Sequence, residues 1–275
     1  MSACVIREAL ADEVNGARDV LENILASLRT ETDLKAGEAA LTAISKLFKL
    51  PWVYWVPDTS HPYALPEMKS FARACGWPDE FLKLWQNRHA MLKMPPYIRC
   101  RFEYLPFLAT PSNEQPGTNT VSSDYPRFGT LIREMGVRTC LVVPLHLPKG
   151  QVAIVIWAGS RPCEDLHNVI TGLEGTLLAI GHHFMRIVGR LTEREFDSYN
   201  EQFQLTPREW ECMRTLAQGY RDAEIAKVLG ISPSTTRFHL DNAVRKFGCK
   251  TRTQAVALLA QLGVLGSIEC SGANF

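Results

Sequence analysis

Between positions 234 and 252 the sequence sets out side chains suited to binding rather than to bond-making: Ser234, Thr235, Arg237, Phe238, His239, Asp241, Arg245, Lys246, Lys250 and Arg252. Guanidinium and ammonium groups neutralise phosphates, and a guanidinium can also donate two parallel hydrogen bonds to the O6 and N7 edge of guanine. On a helix of 3.6 residues per turn, Ser234, Arg237, Phe238, Asp241 and Arg245 share an outward face, opposite core-facing Thr236, Leu240, Val244 and Phe247. Arg237, in the first half of that helix, is the choice for reading base edges. Thr235, His239, Lys246, Lys250 and Arg252 are placed for phosphates. Asp241 cannot bind phosphate and is suited instead to accept from a cytosine amino group. Residues 205–265 hold nine Lys or Arg against five Asp or Glu, whereas the whole chain carries a net charge of only +1. The positive charge is therefore gathered where a nucleic acid would need it.

Four helices must position these groups, and their ends are written into the sequence. Thr206, Pro207 and Glu209 form a capping box with proline at the first helical position, and Leu205 and Trp210 are spaced as a hydrophobic staple. Gly219 ends that helix. A second, carrying Ile225, Ala226, Val228 and Leu229, stops at Gly230, and Ser232-Pro233 starts the third, which Gly248 closes. Thr251 with Gln254 opens a fourth, with Val256, Leu259 and Leu262 inward and Gly263 as its stop. The tight Gly230-Ile231-Ser232 connection makes a helix-turn-helix, whose second helix is shaped for a DNA major groove.

This stretch resembles the LuxR/FixJ-type DNA-binding domain over its full length. The family's Glu, Leu and Gly landmarks fall on Glu209, Met213 and Gly219, and EIAKVLGIS with TTRFHL follows its pattern. The sequence departs from the family at Arg221, where a Thr or Ser usually caps the second helix, and at Asp241, a carboxylate on the reading face. The missing cap is expected to cost about 1 kcal/mol.

At 275 residues, with 46% hydrophobic and 21% charged residues, the chain fits two globular domains. No apolar run is long enough to span a bilayer, and the opening MSACVIREALADEV lacks a signal peptide's basic end and apolar centre, which predicts a cytoplasmic protein. The eight cysteines include no C-x-x-C pair, so free thiols are expected rather than a zinc site. Residues 1 to about 14 read as a loose extension. Helical spacing recurs over 17–28 and 39–50, and WVYWV at 52–56 reads as a strand. A helix is expected from Asp79 to about Lys93, where Met94-Pro95-Pro96 breaks it. Residues 97–105 fit either an extended segment or a short helix, 110–123 a surface loop, and Phe128–Met135 a helix. TCLVVPLHL and QVAIVIWAG, joined by Pro148-Lys149-Gly150, form a hairpin, and one long helix is expected from Asp165 to about Arg190. The fold class is α+β: an amino-terminal α/β/α sandwich with an antiparallel sheet over 1–190, a linker at 191–204, the four-helix DNA-binding domain at 205–265, and a tail at 266–275.

The amino-terminal part resembles, more weakly, the acyl-homoserine lactone sensor of LuxR-type quorum-sensing regulators. That family carries an aromatic residue, a Tyr four residues on, and Asp-Pro nine after that; here Phe81, Trp85 and Met94-Pro95 hold the spacing. GVRTCLVVPLHLPKG matches the family's strand pair, with Cys140 in place of a common Gly, and Ile156 stands where a Ser or Thr often lies. The family's Asp accepts a hydrogen bond from the ligand amide, which Met94 cannot do. The Tyr hydroxyl is also gone, although the Trp85 indole remains a donor. Trp52, Tyr54, Trp77, Phe81 and Trp85 are all large rings able to point inward. Either they fill the pocket in place of a ligand, or the pocket is tuned to a flatter, less polar or aromatic molecule.

The resemblance implies a homodimeric transcription regulator on an inverted-repeat site in double-stranded DNA, with a small-molecule signal and RNA polymerase as further partners. It implies no membrane association, cofactor or metal. A second reading, a heterodimerising anti-regulator that does not bind DNA, draws on Asp241 and Arg221. An enzyme is not expected. His182 and His183 are neighbours about 100 degrees apart on a helix, ill-placed to share a metal ion, and the sequence has no H-E-x-x-H, G-x-S-x-G or phosphate-binding glycine loop. A phosphorylated response regulator is set aside because no strand ends in the aspartate it would require.

Overall fold

The computed structural model describes residues 3–59, 65–84, 94–111, 125–192, 205–261 and 265. The chain divides into two compact units, residues 1–147 with 151–192, and residues 148–150 with 193–275. Most of the expected linker, 191–204, and all of the expected tail, 266–275, lie outside the described residues.

The first unit is built on a four-stranded antiparallel sheet in the order β1-β4-β3-β2: β1 Trp52–Val56, β2 Phe107–Ala109, β3 Thr139–His146 and β4 Val152–Gly159. Its strands are rich in β-branched and aromatic residues, and β3 and β4 form the expected hairpin through a short helical turn at Pro148–Gly150. Strand alternation then divides the side chains. Tyr54, Ile156 and Val142 lie in register across three strands on one face. Trp55, Val155 and Val143 form the next row, on the other face.

That second face packs on α2 Leu34–Phe48 and a long helix, α8, of residues Glu174–Thr192, and α1 Ala3–Leu28 packs in turn on these two helices. Trp55 meets Phe184 edge-on at 5.5 Å, and the Trp157 indole donates to the Leu41 carbonyl at 2.9 Å. The Asp33 side chain caps α2 by accepting from the Ala36 amide, and Lys49 closes the helix in the left-handed conformation, φ 58°. Arg186 donates to the carbonyls of Leu28, Arg29 and Glu31, serving the carbonyls left open at the end of α1. The other face carries α3 Pro66–Ala74, α4 Asp79–Leu84, α5 Pro95–Cys100 and α6 Tyr125–Glu134.

Two expectations need correction, and an open one, at 97–105, resolves as a short helix. The loose extension at 1–14 is largely the first half of α1, where Glu13 pairs with Arg161 at 2.8 Å. The single helix from Asp165 is two, α7 Cys163–Ile170 and α8, separated at Gly172, φ 85°, whose amide donates to the Glu174 carboxylate at 2.7 Å. Continuous apolar spacing across 166–187 hid this break, because Leu173 is buried on both readings. Residues 97–105 begin as α5, with Pro95 at the first helical position, where the lost amide costs nothing. The expected helix to Lys93 is seen as α4, its remainder lying outside the described residues; the 110–123 loop does so from 112 onward.

Gly159 ends β4 where the sheet meets the close of α2. A Cβ there would lie 2.9 Å from the Leu50 Cα and the Lys49 carbonyl oxygen, both backbone atoms with little room to yield. Gly159→Ala is expected to lower unfolding free energy by about 1–3 kcal/mol, read as a lower urea midpoint at unchanged slope.

Candidate nucleic-acid interface and ligand pocket

The second unit contains α9 Pro207–Ala217, α10 Asp222–Leu229, α11 Pro233–Lys246 and α12 Arg252–Gln261. Their core is Leu205, Cys212, Met213, Ile225, Leu240, Ala243, Phe247, Ala255 and Leu259. Both halves of the α9 capping box are present: the Thr206 amide donates to Glu209 Oε2 at 2.7 Å, and the Glu209 amide to Thr206 Oγ1 at 3.3 Å. Arg221 supplies no side-chain cap to α10. The Glu224 carboxylate nevertheless accepts from the Arg221 amide at 2.8 Å, so part of the expected penalty is recovered. Gly230, φ 65°, turns the chain, and Ser232 caps α11 by accepting from the Thr235 amide at 3.0 Å. The Gln254 amide donates to Thr251 Oγ1, while its side chain accepts from the Lys250 amide rather than from Thr251.

Along α11, Ser234, Arg237, Phe238, Asp241 and Arg245 are exposed, Phe238 at 62%, and Thr236, Leu240 and Ala243 are buried. Thr235 and His239 are half-buried, and His239 meets the Phe238 ring edge-on at 5.7 Å. Arg245 bonds to the Asn242 side chain, and Lys250 is exposed beyond the helix end.

Two cations expected at phosphates are committed elsewhere. Lys246 Nζ lies 2.7 Å from Glu209 Oε2, a carboxylate only 4% exposed, and so pins the end of α11 to the start of α9. Arg252 lies between two carboxylates: Nη1 is 2.8 and 3.0 Å from the Asp222 oxygens, and Nη2 is 2.8 Å from Asp241 Oδ1. Asp222 Oδ2 also accepts from Arg237 Nε at 3.2 Å. Burial raises the Asp222 carboxyl, but Arg252 and then Arg237 bring it below its ordinary range; Arg252 itself is raised, burial being outweighed by Asp241 and Asp222. Helical spacing could not reveal these pairs, since the partners lie on other helices.

In the first unit, Tyr54, Trp77, Phe81, Met94, Cys140 and Ile156 come together with Pro96, Tyr97, Ile132 and Val142 around a cavity of about 40 Å³. Trp77 and Phe81 stack at 4.1 Å, Tyr54 meets Trp77 edge-on at 6.4 Å, and the Trp77 indole donates to the Val53 carbonyl at 2.8 Å. Trp52 does not line the cavity; its indole faces Gly76. Pro95 starts α5 and is likewise outside the lining, and Trp85 lies outside the described residues. Sequence signals for the missed lining residues existed: Val142 shares the strand face of Cys140, and Tyr97 follows Met94 by three on a helix.

Residues 53–187 match the family model described as the autoinducer binding domain, and residues 203–259 the one described as bacterial regulatory proteins, luxR family. The chain is 28% identical over 211 residues to the quorum sensing-dependent transcriptional regulator RpaR of Rhodopseudomonas palustris, covering 73% of this chain and 76% of RpaR. It is 46% identical over 129 residues to the quorum sensing-dependent regulator VjbR of Brucella abortus, covering 47% of this chain and 48% of VjbR. The crystal structure of Escherichia coli SdiA shares the fold, with a TM-score of 0.54 at 16% identity over 90% of this chain and 98% of that one.

Burial raises the Glu209 carboxyl, but Lys246 and the Thr206 amide together bring it below its ordinary range. A depressed carboxyl stabilises the fold above its unfolded-state pKa, and that contribution disappears as pH falls through the folded value. Thermal melts should therefore lose stability below about pH 4. Glu209→Gln should flatten part of that loss while costing about 1–2 kcal/mol at neutral pH, as for a lost cap.

Proposed function

The chain belongs to the luxR family of bacterial regulatory proteins, with an autoinducer-binding domain ahead of the DNA-binding domain, and from that premise we propose a homodimeric, DNA-binding transcription regulator whose sensor is closed by its own side chains. The observation that carries the sensor reading is the 40 Å³ cavity. That is room for about one water molecule, whereas pockets for small-molecule ligands run to roughly 300–1,000 Å³. The stacked Trp77 and Phe81 rings occupy the volume, and Met94 brings no carboxylate to it. The aromatic packing supplies the burial that a bound signal would otherwise provide.

For the DNA-binding half, Arg237 is the base-reading residue, with Ser234, Phe238 and Arg245 on the same exposed face. Thr235, His239 and Lys250 serve phosphates. An inverted-repeat site follows from two-fold symmetry of the dimer. Neither departure from the family favours the anti-regulator reading, because Asp241 is charge-balanced by Arg252 and α10 keeps the Glu224 half of its cap.

The experiment is soluble expression without acyl-homoserine lactones, mass spectrometry of the purified protein, and footprinting on a promoter site. We expect folded protein free of bound small molecule, no rise in melting temperature on adding lactones, and protection of both half-sites. A co-purifying lactone would overturn the closed sensor, and protection of neither half-site would overturn the DNA-binding assignment. Phe81→Ala should cost about 3–5 kcal/mol and leave a cavity that a small aromatic such as benzene restabilises, seen as a melting-temperature rise absent from the wild type.

A further inference from the structure

A carboxylate that touches the exposed face of α11 belongs to a different helix. Asp222 is the first residue of α10, and it contacts both Arg237 on α11 and Arg252 at the start of α12. The contact with Arg237 uses Nε, at 3.2 Å, and neither Nη group of Arg237 has a partner among the described residues. The Arg237 side chain remains 70% exposed, so its anchored edge faces the protein and its forked end faces solvent. An arginine held at Nε can meet guanine only end-on, through its two Nη groups, which still match the O6 and N7 acceptors. Arg252 in turn is fixed by Asp241, so the carboxylate of Asp222 is itself held in place.

We propose that Asp222 is a positioning residue for sequence recognition, which aims the Nη pair of Arg237 at a base edge while Arg252 and Asp241 hold Asp222 steady. The proposal rests on the reading of Arg237 as the base-reading residue. It separates two carboxylates that look alike in charge. Asp222 and Asp241 each pair with Arg252, but only Asp222 touches Arg237. Removing either adds one positive charge to the unit and strengthens binding to any duplex, whereas removing Asp222 alone frees Arg237 to sample orientations that do not discriminate.

The test uses the full chain. A duplex site is selected by the wild type from a randomised pool, and affinities are measured for that site and for versions with each guanine replaced by adenine. Arg237→Ala should lose discrimination at one guanine per half-site. Asp222→Asn should lose about tenfold of the discrimination at that same guanine, and nothing further when combined with Arg237→Ala. Asp241→Asn should keep the preference while binding all duplexes more tightly. Full discrimination in Asp222→Asn, or an equal loss in Asp222→Asn and Asp241→Asn, would overturn the proposal. Retained discrimination in Arg237→Ala would overturn the base-reading assignment with it. A second measurement needs no substitution: in ¹⁵N-labelled wild type, the Arg237 Nε–H should exchange with water markedly more slowly than that of an exposed arginine. Exchange at the exposed rate would sink the idea even if Asp222→Asn failed to fold.

Discussion

One oxygen atom, Oε2 of Glu209, accepts from the Thr206 amide that begins α9 and from the Lys246 ammonium that ends α11, each at 2.7 Å. The carboxylate is almost fully buried, and a buried charge is tolerated only when it is paired and hydrogen-bonded. Its position therefore ties the start of α9 to the end of α11. The core of Met213, Ile225, Leu240 and Leu259 can fill the space between helices, but apolar contacts are non-directional. The ion pair adds the direction that they lack.

The same use of charge recurs beside the exposed face of α11. The positive excess of residues 205–265 suggests a surface crowded with cations available to phosphates, yet Lys246 and Arg252 are held by carboxylates and Arg237 touches one. Partly exposed ion pairs contribute little stability individually. Under the proposed DNA-binding role, they set which cations are left to a nucleic acid and how those are oriented.

Much of this architecture was legible in the chain. The caps at Thr206, Ser232 and Gly230, the hairpin strands, and the inward set of Thr236, Leu240 and Phe247 are local signals, and they lie where spacing and turn chemistry put them. What could not be read depends on distant partners. Lys246 and Glu209 are 37 residues apart, and Arg252 and Asp222 are 30 apart, so a helical wheel shows each cation as outward and free. Glu13 of α1 likewise meets Arg161, 148 residues away, a contact that local spacing does not show. In the sensor unit, the rings expected inward at Tyr54, Trp77 and Phe81 do meet, but Trp52 stands at the edge near Gly76, because a strand's first residue has fewer neighbours to bury it.

The sheet of the first unit presents Tyr54, Ile156 and Val142 to the cavity and Trp55, Val155 and Val143 to the helices behind it, from adjacent positions on the same three strands. Successive side chains on a strand point to opposite faces, so the backbone acts as a partition between two sets of demands. The lining of one layer can change while the packing that seats α2 and α8 on the other keeps its fit. A substitution that reshapes the cavity side of the sheet therefore acts on different side chains from those that seat the helices behind it.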